Sequence, residues 1–318
     1  MPDTRPLGAT GLDTSTLALG TNTFGWSADE RTAHAILDAY TAGGGTHIDT
    51  AHTYPGWAPG CAGGESERMI GSWLASRPGM RERVLVATKM GMAGGRFEKG
   101  LGRDRIMRWV EGSLERLGVE RIDLLYTHED DPATPLPETL GALDELVRQG
   151  VVGHLGASNL PPERLAESLD ISAREGWAPY TVLQPRYNLV DRYDFEGAMQ
   201  SICVERGIAV VPYPALAGGY LTGKYRPGQP LPESVRVPGV RRHLEARGTG
   251  LLETLDAVAR EVDATPSQVA VAWVAAQPAI AAVLASATSV EQVTELMGAM
   301  DLRLDGERLQ RLREAAAG

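Results

Sequence analysis

The chain has 318 residues, and 31 Lys and Arg against 41 Asp and Glu give it a formal net charge of −10. That leaves no basic surplus to neutralise phosphates, which argues against a nucleic-acid partner. Hydrophobic residues make up 43% and charged residues 23%, enough to bury a large core, and no apolar run approaches the roughly 18 residues of a membrane span.

Two cysteines, Cys61 and Cys203, make no disulfide framework. No apolar run follows Met1-Pro2-Asp3-Thr4-Arg5, so no signal peptide is expected. Both features predict a cytoplasmic protein.

Residues 5–14, with Leu7-Gly8 and Gly11-Leu12, predict a small β-hairpin. A first strand at Leu17-Ala18-Leu19 ends at Gly20-Thr21-Asn22-Thr23-Phe24-Gly25. Ser27 and Glu30 have the spacing of a capping box, and Ala33, Ile36, Leu37 and Tyr40 then recur at helical period before Gly43-Gly44-Gly45.

The alternation repeats down the chain. Strands are expected in the stretch that opens at His47 and at 84–88, 122–127, 151–156, 181–183, 208–211 and 280–284. Helices are expected near 65–76, 104–117, 136–149, 162–175, 195–206, 250–262, 266–277, 290–300 and 305–316. The stretch 217–248, rich in Gly, Pro and Arg, reads as one long irregular loop whose length points to a function.

Continuously apolar strand runs suit parallel strands covered on both faces. The strand–helix pattern without a composition break predicts one α/β domain over 1–318, a (β/α)8 TIM barrel with an N-terminal hairpin and extra C-terminal helices. A doubly wound sheet is the competing layout, but its Gly-x-Gly-x-x-Gly turn is absent.

In such barrels the working groups stand at the C-terminal ends of strands. Asp49 and Tyr54 follow the second strand, Lys89 the third and His128 the fourth. Ser158 and Asn159, Gln184, Tyr213, and Ser286 and Thr288 follow the fifth to eighth. A phenol with a pKa of about 10 needs a nearby cation before it exchanges protons readily. Tyr54 is therefore read as a proton donor whose phenolate is favoured by the Lys89 ammonium, with Asp49 orienting Lys89 and His128 polarising a substrate carbonyl.

No side chain supplies a hydride, so carbonyl reduction implies a nicotinamide cofactor. The remaining histidines show no ligand spacing, and no metal site is expected. Glu129-Asp130-Asp131 reads as a solvated loop. Trp26 and Trp57 are candidate pocket walls. Gly218 to Lys224 matches Gly-x4-Gly-Lys, but Tyr225 stands where a phosphate loop needs Ser or Thr, and Arg226-Pro227-Gly228 interrupts any helix there.

These motifs together resemble the aldo-keto reductase family over nearly the whole chain. They include Asp49-Thr50-Ala51-His52-Thr53-Tyr54, Gly64-Glu65-Ser66-Glu67, Ala87-Thr88-Lys89, Gly156-Ala157-Ser158-Asn159, Gln184 and Leu221-Thr222-Gly223-Lys224-Tyr225. The resemblance implies a catalytic set of Asp49, Tyr54, Lys89 and His128, and a substrate pocket of Trp26, Tyr54, Trp57 and His128. It implies NADPH bound in extended form and a small-molecule carbonyl substrate. Gly20, Thr21, Asn22 and Asp49 would lie beside the cofactor, with Ser158, Asn159 and Gln184 on the carboxamide and Tyr213 stacked on the nicotinamide. Leu216, Gly218, Leu221 and Lys224 would follow the pyrophosphate, and Ser286, Thr288 and Gln292 the adenosine 2′-phosphate.

Three departures bear on this. The usual Tyr-Ser-Pro-Leu is Tyr213-Pro214-Ala215-Leu216, a small residue is Ser286, and a frequent Asn is Leu296. No basic residue occurs from Ser286 to Gln292, which keeps NADH as an alternative and makes Arg226 a candidate replacement. Some relatives regulate channels, so a cofactor-sensing subunit with little turnover is the alternative function. An isomerase or lyase barrel without a dinucleotide is a third.

Overall fold

A computed structural model describes residues 4–226, 237–247 and 250–317. The chain opens with a hairpin, β1 (Thr4–Pro6) antiparallel to β2 (Asp13–Ser15). Leu7 between them is wholly buried in the same cluster as the barrel interior. Gly8, at φ +59°, presses so close to the next layer that a Cβ would lie 3.0 Å from the Thr181 carbonyl oxygen. The hairpin therefore plugs the N-terminal end of the barrel.

Eight parallel strands follow, alternating with helices. They are β3 (Leu17–Gly20), β4 (His47–Asp49), β5 (Leu85–Met90), β6 (Ile122–Thr127), β7 (Val152–Ser158), β8 (Tyr180–Gln184), β9 (Ala209–Val210) and β10 (Val283–Ser286). The sheet order is β10-β3-β4-β5-β6-β7-β8-β9. The cylinder closes where Val210 bridges Ile280, Ala281 N donates to Val210 O at 2.9 Å, and Leu284 N donates to Pro212 O at 3.1 Å. The expected (β/α)8 barrel and hairpin are both present.

The helices are α1 (Glu30–Ala42), α2 (Glu65–Ala75), α3 (Arg103–Leu117), α4 (Leu136–Arg148), α5 (Pro162–Glu175), α6 (Ala198–Arg206), α7 (Val237–Arg247), α8 (Gly250–Glu261), α9 (Pro266–Ala275), α10 (Val290–Met297) and α11 (Gly306–Ala315). None among the described residues is long and apolar enough to cross a membrane.

Strand periodicity divides two cores. Leu17, Leu19, Ile48, Val86 and Leu125 face the helices, whereas Ala18, Leu85, Ala87, Leu124, Tyr126 and Val182 fill the barrel. Gly156 belongs to the inner set because Tyr126 lies across it; a Cβ there would fall 2.4 Å from the ring.

Four expectations need correcting. Helix α1 is capped by Asp29, whose carboxylate accepts from Thr32 N at 2.8 Å, and not by Ser27, which lies in a turn closed on Thr23 O. Helix α6 begins at Ala198, because Gly197 at φ 98° breaks the path from residue 195. Strand β10 starts at Val283; residues 280–282 form the closing seam instead. The stretch 217–248 is not one irregular loop, since it holds a 3-10 turn (Ala217–Thr222) and α7, although residues 227–236 and 248 lie outside the described set.

Candidate active site

Inward-facing periodicity carries His47 to Asp49 on β4, Ala87 to Lys89 on β5, Gly156 to Ser158 on β7 and Val182 to Gln184 on β8. These strand ends meet at the C-terminal mouth. Asp49 and Lys89 are fully buried and form an ion pair through Oδ1 and Nζ. The ammonium also donates to Thr50 O at 2.7 Å and to the Tyr54 hydroxyl at 3.3 Å, and lies 4.8 Å from the Tyr54 ring centre. His128 is buried, with its ring centre 5.7 Å from that of Tyr54. All four expected catalytic residues therefore share one cluster.

Burial opposes both charges of the ion pair. For Lys89 the Asp49 carboxylate and Tyr54 phenol overcome it and hold the ammonium above its ordinary pKa; for Asp49 burial prevails over Lys89 and Gln184 and raises the carboxyl. The two shifts pull the pair in opposite directions. The close Nζ contact, with Gln184 Nε2 donating to the second carboxylate oxygen at 2.9 Å, is the geometry of an ionised pair. Burial also raises the Tyr54 phenol, against the lowering effect of Lys89. Resting Tyr54 is thus a neutral phenol, and Lys89 moderates a shift that burial dominates. Burial and the Lys89 charge push His128 well below the ordinary histidine range, so its imidazole is neutral.

A cavity opens over this cluster, lined among others by Gly20, Asn22, Tyr54, His128, Gln184 and Tyr213. A second is lined among others by Lys224, Tyr225, Ser267, Thr288, Gln292 and Glu295. They share Leu216 and Ser286, so the two make one elongated groove. Ser286 narrows it, donating to Asn22 Oδ1 at 2.5 Å. In the second cavity the Tyr225 hydroxyl is buried with no partner among the described residues, which is what an oxygen-rich ligand would satisfy. A groove with a proton-donor cluster at one end and a cation and orphaned hydroxyl at the other could hold a nicotinamide dinucleotide.

The remaining expected residues fall as follows. Ser158 donates to Gln184 O at 2.8 Å, and Asn159 donates to His128 O at 2.9 Å and accepts from the Tyr213 hydroxyl at 2.6 Å. Gly218 lines the first cavity. Thr21 is buried in hydrogen bonds to Asp49 O and Ser66, and Leu221 is core; neither lines the groove. Trp57 packs edge-on against Tyr54 and Trp26 at 5.3 and 6.0 Å, yet neither tryptophan lines the cavity. Arg226 is tied to Asp256 at 2.7 and 2.9 Å.

The acidic run is not simply solvated: Glu129 pairs with Lys99, Asp130 with Arg164, and Asp131 accepts from Leu101 N at 2.8 Å. Among the described residues no cluster of three or more His, Cys, Asp or Glu could hold a metal. Reading the sequence missed Tyr225, Ser267 and Glu295 as groove residues. The Thr265–Gln268 capping box was a visible signal for where the helix bearing Ser267 begins.

Residues 16–317 match the Aldo/keto reductase family. The chain belongs to this family. It is 32% identical over 98% of its length to the uncharacterized oxidoreductase YrpG of Bacillus subtilis, covering 95% of that protein. It is 33% identical to the aldo-keto reductase str7 of Strobilurus tenacellus, over 91% of this chain and 82% of that one. A probable voltage-gated potassium channel subunit beta of Oryza sativa is 30% identical over 93% of this chain and 90% of its own. As an aldo/keto reductase the protein is an NAD(P)H-dependent oxidoreductase, and carbonyl reduction is the reaction the family supports.

Proposed function

We propose that this aldo/keto reductase uses NADPH to reduce an aldehyde or ketone to the alcohol, reversibly, with Tyr54 as the proton donor. The observation that carries this reading is the Lys89 ammonium at 3.3 Å from the Tyr54 hydroxyl, beside one elongated groove. When bound, the reduced nicotinamide supplies the two-electron reductant. Tyr54 begins as a neutral phenol and gives its proton to the carbonyl oxygen; the adjacent ammonium stabilises the phenolate it leaves. Asp49, engaged through both carboxylate oxygens, keeps Lys89 charged and aimed. Neutral His128 donates a hydrogen bond to the carbonyl oxygen without adding charge.

Ser158, Asn159 and Gln184 hold the carboxamide, Tyr213 flanks the ring, and Gly20 and Asn22 form the floor. Leu216, Gly218 and Lys224 follow the pyrophosphate; Ser286, Thr288 and Gln292 border the adenosine 2′-phosphate. Lys224, the one cation among the described residues lining the second cavity, shares that cavity with Thr288 and Gln292 and can meet a 2′-phosphate as well as the pyrophosphate, which supports NADPH over NADH. Trp57 and Trp26 flank the entrance on the Tyr54 side. The protein acts as one domain on a small-molecule carbonyl in the cytoplasm.

The test is NADPH consumption by wild type and Tyr54→Phe across aldehydes and ketones. Equal rates in the two proteins would remove Tyr54 as proton donor. A second reading, a cofactor-sensing subunit, is favoured by the rice relative's name. Tight NADPH binding with negligible turnover across the panel would support it instead.

A further inference from the structure

One short stretch of chain grips Lys89 at both ends. Its ammonium meets Asp49, Thr50 O and Tyr54. Its backbone carbonyl is met by the residue between them: His52 N donates to Lys89 O at 3.0 Å, and His52 Nδ1 lies 2.8 Å from the same oxygen. A carbonyl oxygen only accepts, so Nδ1 carries the proton and Nε2 is the bare nitrogen. Nε2 is buried with no partner among the described residues.

The ring has little freedom to leave. Phe97 packs edge-on against it at 4.5 Å and Trp109 lies at 5.1 Å. Phe97 sits on the segment after β5, which is pressed against the 55–64 loop: Arg96 N donates to Ala62 O at 2.9 Å, and a Cβ on Gly95 would fall 2.1 Å from that oxygen. Burial lowers the His52 pKa to about 4, and Arg116 adds to the effect. A phenyl ring would fill this space without burying an unpartnered nitrogen. What the imidazole alone contributes is the bond to Lys89.

We propose that His52 is a positioning residue: its Nδ1–H fixes the Lys89 peptide, and so the placement of the ammonium against the Tyr54 hydroxyl. This rests on Tyr54 being the proton donor. A lysine side chain is long and flexible, and its reach to Tyr54 depends on where its backbone is held.

His52→Phe keeps the aromatic packing and removes the donor, whereas His52→Asn keeps an N–H close to the Nδ1 position. We expect kcat for carbonyl reduction to fall about tenfold or more in His52→Phe, with KM and NADPH affinity nearly unchanged. His52→Asn should recover most of the loss. Full kcat in His52→Phe, or equal losses in both variants, would overturn the assignment. Heteronuclear NMR of the wild-type histidine ring nitrogens decides it without any variant: a protonated Nδ1 and bare Nε2 on His52 are expected, and the opposite tautomer would refute it. A wild type that reduces no carbonyl removes both this inference and the reading beneath it; an active wild type with an unaffected His52→Phe removes this one alone.

Discussion

Gln184, at the end of β8, reaches across the mouth of the barrel and donates to Asp49 Oδ2, at the end of β4, over 2.9 Å. The other oxygen is held by Lys89. With both oxygens engaged, Asp49 is held in place as an orienting group for Lys89. Asp49→Asn would leave a buried ammonium without its counter-charge, a loss of about 3–5 kcal/mol. Urea unfolding should show that drop together with a large fall in carbonyl reduction; wild-type stability and rate would contradict the ion-pair description.

Tyr54→Phe removes one oxygen and leaves the ring that packs against Trp57 and His128. Loss of general acid catalysis should lower kcat by about 10²–10⁴-fold. NADPH titration followed by tryptophan fluorescence should give an unchanged dissociation constant. Weakened cofactor binding would mean that Tyr54 serves mainly to shape the groove.

Acid should unfold this protein early. Burial lowers His47 to about 3 and His52 to about 4, and holds His128 well below its ordinary 6.5. As pH falls below 6.5 the unfolded chain takes up protons that the folded one refuses, so stability is lost on acidification, by up to ~1.4 kcal/mol per pH unit for each histidine. Asp49, raised by burial, acts with the opposite sign, but it is one group against four histidines, since burial lowers His154 as well. Urea midpoints should be clearly lower at about pH 5 than at about pH 7.5; a flat profile would show that these imidazoles are not neutral in the folded state.

Behind β5 lies a second buried charge pair. Glu67 is fully buried, takes Arg116 Nε on one oxygen at 2.6 Å and Thr88 Oγ1 on the other at 2.6 Å. Arg116→Met alone should cost about 3–5 kcal/mol by stranding the carboxylate, and Glu67→Gln with Arg116→Met should cost less than the two singles added. A double-mutant cycle of unfolding free energies checks this; strict additivity would mean the pair is not coupled.

Lys224 has no ion-pair partner among the described residues, whereas Arg226 is occupied by Asp256. Lys224→Met should weaken NADPH by about 10–100-fold, the scale of a lost charge-assisted hydrogen bond. Its effect on NADH should be smaller. Equal losses for the two cofactors would place Lys224 on the pyrophosphate alone, and no loss would remove it from the groove.

The barrel and its catalytic end were readable because both rest on short-range regularities. Apolar runs marked the strands, and the rule that strand ends carry chemistry singled out Asp49, Lys89, His128 and Gln184 together. What escaped depended on distant packing. Ser27 has capping spacing, yet tertiary contacts through Thr23 spend it in a turn and give the cap to Asp29. Residues 280–282 look like the start of a strand, but only the curvature of the sheet decides that they close it. Tyr225, Ser267 and Glu295 come to one cavity from three separate segments, and no local spacing announces that meeting. Trp26 and Trp57 were read as pocket walls because their loops follow strands at the expected mouth, which does not fix which way an indole faces.

The hairpin that carries Leu7 makes the barrel a cul-de-sac. With that end plugged, cofactor and carbonyl share the C-terminal mouth; if the nicotinamide settles there against Ser158 and Gln184 and the carbonyl binds over it, the carbonyl must arrive after it and the alcohol must depart before it. Such a queue leaves a kinetic fingerprint: NADP+ competing with NADPH, and the alcohol competing with neither. Random order would imply a second way in.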